Sequence, residues 1–329
     1  MERPSATPIY LAHQKQANQM MSKPNSLDLT GQQLSLYSAW FEAHTHLEEL
    51  FLDSNQLTFL PPTIGQLRQL KSLSLYQNQL AALPQTLWQL TTMQTLNLSA
   101  NRLTSLDAGI GYLTELKMLD LGHNELTHLP ETMGHLQKLR FLYVSHNQLR
   151  TLPDSLRHLS QLLYLNVTDN GLTAVPDWLG DLNNLIELRL YGNHLTQLPP
   201  SIGQLTWLRE LYLMNNQITA LPQTISNLSH LRKLDLQDNQ LSLLPESLSR
   251  LAHLTDLNVR NNQITRLPAS IGTLPNLRFL DLRANKLTSL PDNLAQLATL
   301  EKLDLRWNKL TQHPQWLRQL AEYGCTIFV

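Results

Sequence analysis

Residues 185–207 read LIELRLYGNHLTQLPPSIGQLTW, and residues 208–230 read LRELYLMNNQITALPQTISNLSH. Both follow one pattern, L-x-x-L-x-L-x-x-N-x-(L/I)-x-x-L-P-x-x-I-x-x-L, with a period of 23 residues. Its asparagine recurs at constant spacing, without insertion or deletion, and we call each copy a ladder Asn. The ladder consists of Asn55, Asn78, Asn101, Asn124, Asn147, Asn170, Asn193, Asn216, Asn239, Asn262, Asn285 and Asn308. This repeat decides the fold.

The repeat predicts a stack of similar coils, one per 23 residues. The two leucines of each Leu-x-Leu pair, such as Leu188 and Leu190, lie two residues apart and therefore share one face of a short strand. One coil cannot bury its apolar side chains, but stacked coils cover each other and form a continuous core. Neighbouring strands should then pair in parallel at about 4.8 Å.

The asparagine and a following proline have separate structural explanations. After each strand the chain must turn, and a buried amide side chain supplies both donors and an acceptor for the backbone there. Proline stands six residues after the Asn in nearly every copy, and only Asp107 breaks that column. Because proline fixes φ and lacks an N–H, the second half of each coil should form short helical or 3₁₀ turns.

The motif Leu47, Leu50, Leu52, Asn55 and Leu57, with its Leu-Pro-x-x-Ile-Gly-x-Leu continuation, resembles the leucine-rich repeat. The 23-residue class resembles repeats of intracellular Ras-group, Roco-type and bacterial proteins. The resemblance implies an α/β solenoid, a right-handed horseshoe with a parallel concave β-sheet and short helical or 3₁₀ turns on the convex side. It implies little about function.

The repeat also predicts the domain limits. A weaker first frame, in which Gln32 replaces the asparagine, extends the repeat domain to residues 24–322. Residues 1–23 are expected to form an N-terminal cap with a helix that begins near Thr7 and Pro8, and a disordered tail is the alternative. Residues 323–329 should form a closing strand that covers the open edge of the sheet.

Composition excludes several classes of function. The net charge is −1, and only 16% of residues are charged, which disfavours nucleic acid or an acidic membrane as the main partner. One cysteine, Cys325, allows no internal disulfide. No stretch is apolar enough to cross a membrane, and no signal-peptide pattern opens the chain. Phosphate-binding, metalloprotease and serine-hydrolase motifs are absent, so we expect neither catalysis nor a cofactor.

The side chains that alternate with the core leucines should line the concave surface. Aromatic, Met and charged residues concentrate in four successive coils, a composition typical of protein interfaces. We call this set the central cluster: Phe141, Tyr143, Tyr164, Glu187, Arg189, Tyr191, Glu210, Tyr212 and Met214. We expect its side chains to be exposed and to bind a protein or peptide. Cross-strand packing that only stiffens the sheet is the alternative.

Two further patterns are weaker. The charged stripe near the C-terminus comprises Asp235, Arg260, Asp281, Arg283, Asp304 and Arg306. It is interpreted either as a solvated ladder of exposed pairs or as a secondary docking surface. His123, His146 and Asp169 precede successive ladder residues, a spacing compatible with zinc, but solvated turn residues are the favoured interpretation and no metal site is predicted.

The sequence thus predicts a non-catalytic module that binds a protein or peptide on its concave surface. Nucleic-acid binding and membrane insertion are not expected, and the oligomeric state stays open. A cytoplasmic location is predicted. The alternative is a bacterial effector or adhesin that acts on a host protein after export without a cleavable signal.

Overall fold

The computed structural model describes residues 25–33 and 38–329. In this part of the chain, fourteen three-residue strands form one parallel sheet whose spatial order, β1 to β14, is the order in sequence. Strands β1–β7 are Ser26–Asp28, Glu49–Phe51, Ser72–Ser74, Thr95–Asn97, Met118–Asp120, Phe141–Tyr143 and Tyr164–Asn166. Strands β8–β14 are Glu187–Arg189, Glu210–Tyr212, Lys233–Asp235, Asp256–Asn258, Phe279–Asp281, Lys302–Asp304 and Thr326–Phe328.

The register follows the repeat. From β1 to β13, paired residues differ by 23 in number, as Leu188 and Leu211 do. Every ladder Asn is preceded by two core leucines or valines on the inner face of the sheet, and Leu188 and Leu190 are both fully buried. The predicted separation of a core face from a concave face is therefore confirmed.

The convex side consists of 3₁₀ turns. They are Pro62–Gln66, Gln85–Gln89, Ala108–Tyr112, Glu131–His135, Asp154–His158, Asp177–Asp181, Pro200–Gln204, Gln223–Asn227, Glu246–Arg250, Ala269–Thr273 and Asp292–Gln296. The proline column provides the residue before each turn, as Pro176 does with φ −69°. Where Asp107 replaces proline, its carboxylate accepts the Gly109 N–H at 2.7 Å and caps the turn instead.

The two α-helices lie near the ends of the described chain. Helix α1 spans Ser38–Ala43 and helix α2 spans Trp316–Glu322. Helix α2 leads into β14, which pairs in parallel with β13 at the edge of the sheet. The N-terminal cap predicted for residues 1–23 lies outside the described residues.

The ladder Asn side chains bond to backbone groups of their own coil and of the coil before it. The Asn170 amide donates to the carbonyls of Val144, Val167 and Thr168, and its Oδ1 accepts the N–H of Leu149 at 2.9 Å. One side chain thus joins its own turn to the preceding coil. The residue before each ladder Asn has a left-handed φ, as at Ala284 (51°), and this conformation turns the chain out of the strand.

Candidate protein-binding surface

Strands β6 to β9 carry the central cluster on the concave side of the sheet. Register pairing aligns Phe141, Tyr164, Glu187 and Glu210 in one column and Tyr143, Arg189 and Tyr212 in another. Since the coils are stacked without offset, each side chain lies beside the corresponding side chain of the next coil. The structure therefore brings together the residues that the sequence predicted as a cluster.

Three tyrosine rings and two cations form a continuous stack along the cluster and one coil beyond it. The ring centroids of Tyr143 and Tyr164 are 4.8 Å apart. The Arg189 guanidinium lies 5.8 Å from the Tyr164 centroid and 4.8 Å from that of Tyr212. Lys233 Nζ continues the stack at 5.0 Å from the Tyr212 centroid. Cation–π attraction strengthens when water is excluded, so this arrangement favours a fixed conformation.

The acidic side chains of the cluster have partners within it. Glu187 Oε1 lies 2.6 Å from Arg189 Nε, and the Tyr212 hydroxyl donates to Glu210 Oε2 at 2.5 Å. Burial raises the pKa of Glu187 despite the nearby Arg189 charge. Burial, together with the hydrogen bond to Glu210, raises the pKa of Tyr212. The phenol is therefore a neutral donor at physiological pH.

The expectation that the whole cluster is exposed is wrong for four members. Tyr143, Tyr164, Glu187 and Tyr212 are only 5%, 4%, 2% and 7% exposed. Parallel pairing places neighbouring flat side chains about 4.8 Å apart, close enough that each covers the next.

The other five members are partly exposed: Phe141, Arg189, Tyr191, Glu210 and Met214. A partner would therefore contact these five above a buried, rigid base. Their role in binding stays a prediction. Lys233 was not in the predicted cluster, although it stands at the same repeat position as Glu210 and could have been found from that alignment.

The charged stripe near the C-terminus is a compact network rather than a row of solvated pairs. Arg283 lies 2.6 Å from Asp281 and 3.3 Å from Asp304, and Arg306 lies 2.6 Å from Asp304. Asp304 is fully buried, so the interpretation as exposed pairs is wrong there. Burial opposes ionisation of Asp304, but hydrogen bonds from Arg306 and the charge of Arg283 outweigh it and lower its pKa.

The rest of the predicted stripe is less closely joined. Asp235 and Arg260 form no salt bridge within the described residues. Burial raises the pKa of Asp235, although it accepts the Gln237 N–H and interacts with the Asn258 side chain. The secondary docking role of the stripe stays a prediction.

A capping position on the concave face was missed by the sequence analysis. Four residues before the ladder Asn, at what we call position −4, an Asp or Asn recurs in most coils. Its side-chain oxygen accepts the N–H two residues further on: for example, Asn166 Oδ1 accepts the Thr168 N–H at 3.0 Å. The Asx preference at this column was visible in the sequence and is the hydrogen-bonding pattern of an Asx-turn.

The histidine column does not assemble a metal site. The rings of His123 and His146 stack with centroids 4.0 Å apart, and His146 Nε2 lies 3.0 Å from Asp169 Oδ2. Over residues 25–33 and 38–329, no group of three or more His, Cys, Asp or Glu side chains is arranged to hold a metal ion. Nor does this part of the chain contain a helix with the length and hydropathy required for a bilayer span.

Comparisons with known proteins agree with this architecture. Family models match residues 45–103 and 91–149 (leucine rich repeat), 183–230 (leucine rich repeats, 2 copies) and 223–324 (leucine-rich repeat region). Comparison with curated proteins yields no significant match.

Several solved structures share the fold. A leucine-rich repeat protein of Leptospira interrogans is 30% identical with a TM-score of 0.67, and the alignment covers 100% of both chains. An internalin of Listeria monocytogenes is 24% identical with a TM-score of 0.80, over 92% of this chain and 86% of that one. The Arabidopsis receptor kinase HAESA, in complex with the peptide hormone IDA and the co-receptor SERK1, is 30% identical with a TM-score of 0.72. That match covers 86% of this chain and 48% of the receptor chain. Repeat, register, Asn ladder and family models agree: the chain belongs to the leucine-rich repeat proteins.

Proposed function

We propose that this protein is a non-catalytic interaction module whose concave surface binds a protein or peptide through the central cluster. The observation that carries the proposal is the concentration of Tyr, Arg and Met on the side of the sheet opposite the leucine core. These residue types dominate the energetically important positions of protein interfaces. The similar plant receptor whose structure contains a peptide hormone supports a polypeptide ligand for this type of surface.

The packing of the cluster supports binding with little rearrangement. Tyr143, Tyr164 and Tyr212 are held by their neighbours, and Arg189 lies between rings with its charge balanced by Glu187. Side chains that are already ordered lose little conformational entropy when a partner binds. Tyr191 and Met214 remain partly exposed and provide the contact area.

The test is crosslinking followed by mass spectrometry in a lysate of the producing cells, with the full chain as bait. We expect Tyr191→Ala to reduce capture of a specific partner strongly, because truncation of a central anchor typically weakens binding by about tenfold or more. Tyr112→Ala is the matched control, since Tyr112 is 69% exposed and ends a 3₁₀ turn on the convex side. Equal capture by Tyr191→Ala, Tyr212→Ala and wild type would remove the cluster from the binding site.

A cytoplasmic location remains part of the proposal, and export of an effector or adhesin is the competing outcome. Cell fractionation with the native N-terminus in place separates the two. Recovery of the protein from the culture medium while the cells remain intact would contradict the cytoplasmic location.

A further inference from the structure

The concave face has an irregularity in its backbone hydrogen bonding. In most coils the backbone N–H two residues before the ladder Asn, at position −2, donates a hydrogen bond to a side-chain oxygen. The acceptor is the Asx side chain at position −4, or, for Tyr76, that of Asp53 in the preceding coil. The N–H groups accepted in this way are those of Tyr76, Ser99, Gly122, Thr168, Gln237, Arg260, Arg283 and Arg306, and in the first frame, where Gln32 replaces the asparagine, that of Thr30.

Three coils of the central cluster break this rule. Position −4 is occupied there by Tyr143, Arg189 or Tyr212, none of which can act as an Asx cap. Within the described residues the N–H groups of Ser145, Tyr191 and Met214 consequently have no hydrogen-bond partner in the protein. The N–H of Asp53 is a fourth case, because Phe51 occupies position −4 of its coil, but that coil lies far from the cluster.

The open donors at Tyr191 and Met214 belong to adjacent coils, about 4.8 Å apart along the solenoid. A backbone donor that loses water on binding without gaining an acceptor destabilises the complex, so a ligand that covers both must bring oxygen atoms. The two oxygens of one carboxylate can each accept one of these donors, and charged acceptors give the stronger bonds.

The remaining polar groups of the cluster also favour an acceptor-rich ligand. One oxygen of each of its carboxylates has a partner within the cluster: Glu187 Oε1 binds Arg189, and Glu210 Oε2 accepts the Tyr212 hydroxyl. The neighbouring Asp169 lies against His146. Lys233 forms no salt bridge within the described chain and contributes a positive charge beside Tyr212. The N–H groups of Tyr191 and Met214 and the Lys233 ammonium thus remain as donors for a ligand.

We infer that the partner is an extended peptide segment that places an aspartate or glutamate carboxylate over the backbone N–H groups of Tyr191 and Met214. This inference rests on the proposed function and specifies the chemistry of its ligand. The aromatic and Met side chains bind the apolar part of the segment, and the uncapped backbone selects the acidic side chain.

The test uses a random twelve-residue peptide library displayed on phage and selected against the full chain. Two substitutions of Tyr212 distinguish the effect of the backbone N–H of Met214 from the effect of the Tyr212 ring. In Tyr212→Asn, the new side-chain oxygen can accept the Met214 N–H, as Asn166 accepts the Thr168 N–H. Tyr212→Leu removes the ring as well but leaves the Met214 N–H without an acceptor. Asn97→Leu opens the Ser99 N–H outside the cluster and serves as the control for unrelated loss of a cap. Thermal unfolding of each variant verifies that it is folded at the binding temperature.

We expect an acidic residue at a fixed position in the selected peptides, and its replacement by Asn or Gln should weaken binding about tenfold. The same peptides should bind Tyr212→Asn about tenfold more weakly than Tyr212→Leu, and Asn97→Leu should bind them like wild type. Peptides that require Tyr191 but show no carboxylate preference, or bind both Tyr212 variants equally, overturn this inference and leave the proposed function standing. If no enriched peptide depends on Tyr191, the proposed function and this inference both fail.

Discussion

Replacement of Asn170 by leucine tests the Asn ladder at a central coil. The Asn170 amide donates to three carbonyls, but each of these also accepts from a second donor: Asn147 for Val144, Asn193 for Val167 and His146 for Thr168. The N–H of Leu149 is different, because Asn170 Oδ1 is its acceptor in the structure.

The magnitude follows from this difference. A buried donor that loses its acceptor costs about 1–3 kcal/mol, and the weakened carbonyl bonds add about 1 kcal/mol. We therefore expect Asn170→Leu to lower the free energy of unfolding by about 3 kcal/mol. Asn308→Leu is the matched variant at the last coil: Asn308 accepts the Leu287 N–H in the same way but is partly exposed. Water can replace the lost acceptor there, so the loss should be about half as large.

Urea unfolding followed by far-UV circular dichroism measures both values. Since coils contact only their neighbours, a central defect should also divide the transition into two steps. Amide exchange at Leu149 should accelerate in Asn170→Leu. Equal destabilisation by the two substitutions, or a loss under 1 kcal/mol at Asn170, would refute the assignment of the ladder to buried hydrogen bonding.

Three further predictions concern other parts of the sheet. Burial raises the pKa of the Asp120 carboxyl to about 6, so the folded state favours the protonated form. The stabilisation from this proton is complete below about pH 4, and it is lost as the pH rises through 6. Asp120→Asn should match wild type at pH 4 and exceed it by up to about 3 kcal/mol at pH 8 in urea titrations; a gain independent of pH would contradict the cause. Arg189→Met should cost about 3 kcal/mol by leaving the Glu187 charge buried, and adding Glu187→Met should restore most of it; an equally unstable double variant would argue against a charge effect. Ala284→Gly should raise the urea midpoint, since relief of a left-handed φ of 51° by about 1–2 kcal/mol exceeds the entropic cost of glycine, about 0.5–1 kcal/mol; a lower midpoint would show that the turn tolerates alanine without strain.

The sequence predicted the fold well because local chemistry and periodicity agree at each coil. Leu188 and Leu190 alternate with polar positions, Asn193 marks the turn, and Pro199 sets the start of the convex 3₁₀ turn. Strand Thr326–Phe328 covers the last edge of the sheet, and an open sheet edge requires such cover. These properties depend on neighbours within one or two coils, which the repeat itself specifies.

The state of the concave side chains could not be predicted in the same way. Alternation assigns Tyr164 and Tyr212 to the concave face, and the structure agrees, yet both are buried by lateral contacts between coils. Burial of this kind depends on rotamers and on the size of the side chain in the next coil. Asp304 shows the same effect, because two arginines from adjacent coils cover it.

The unbroken spacing of 23 residues has a consequence for how such a molecule can change in length. Cutting the chain at equivalent points of two successive units and rejoining it leaves strand pairing, turn geometry and the amide bridges unaltered. Unequal recombination within the gene could thus add or delete whole units. Each such event would shift the aromatic patch toward or away from one terminus, so the distance between a docking site and any fused domain is adjustable in steps of about 4.8 Å.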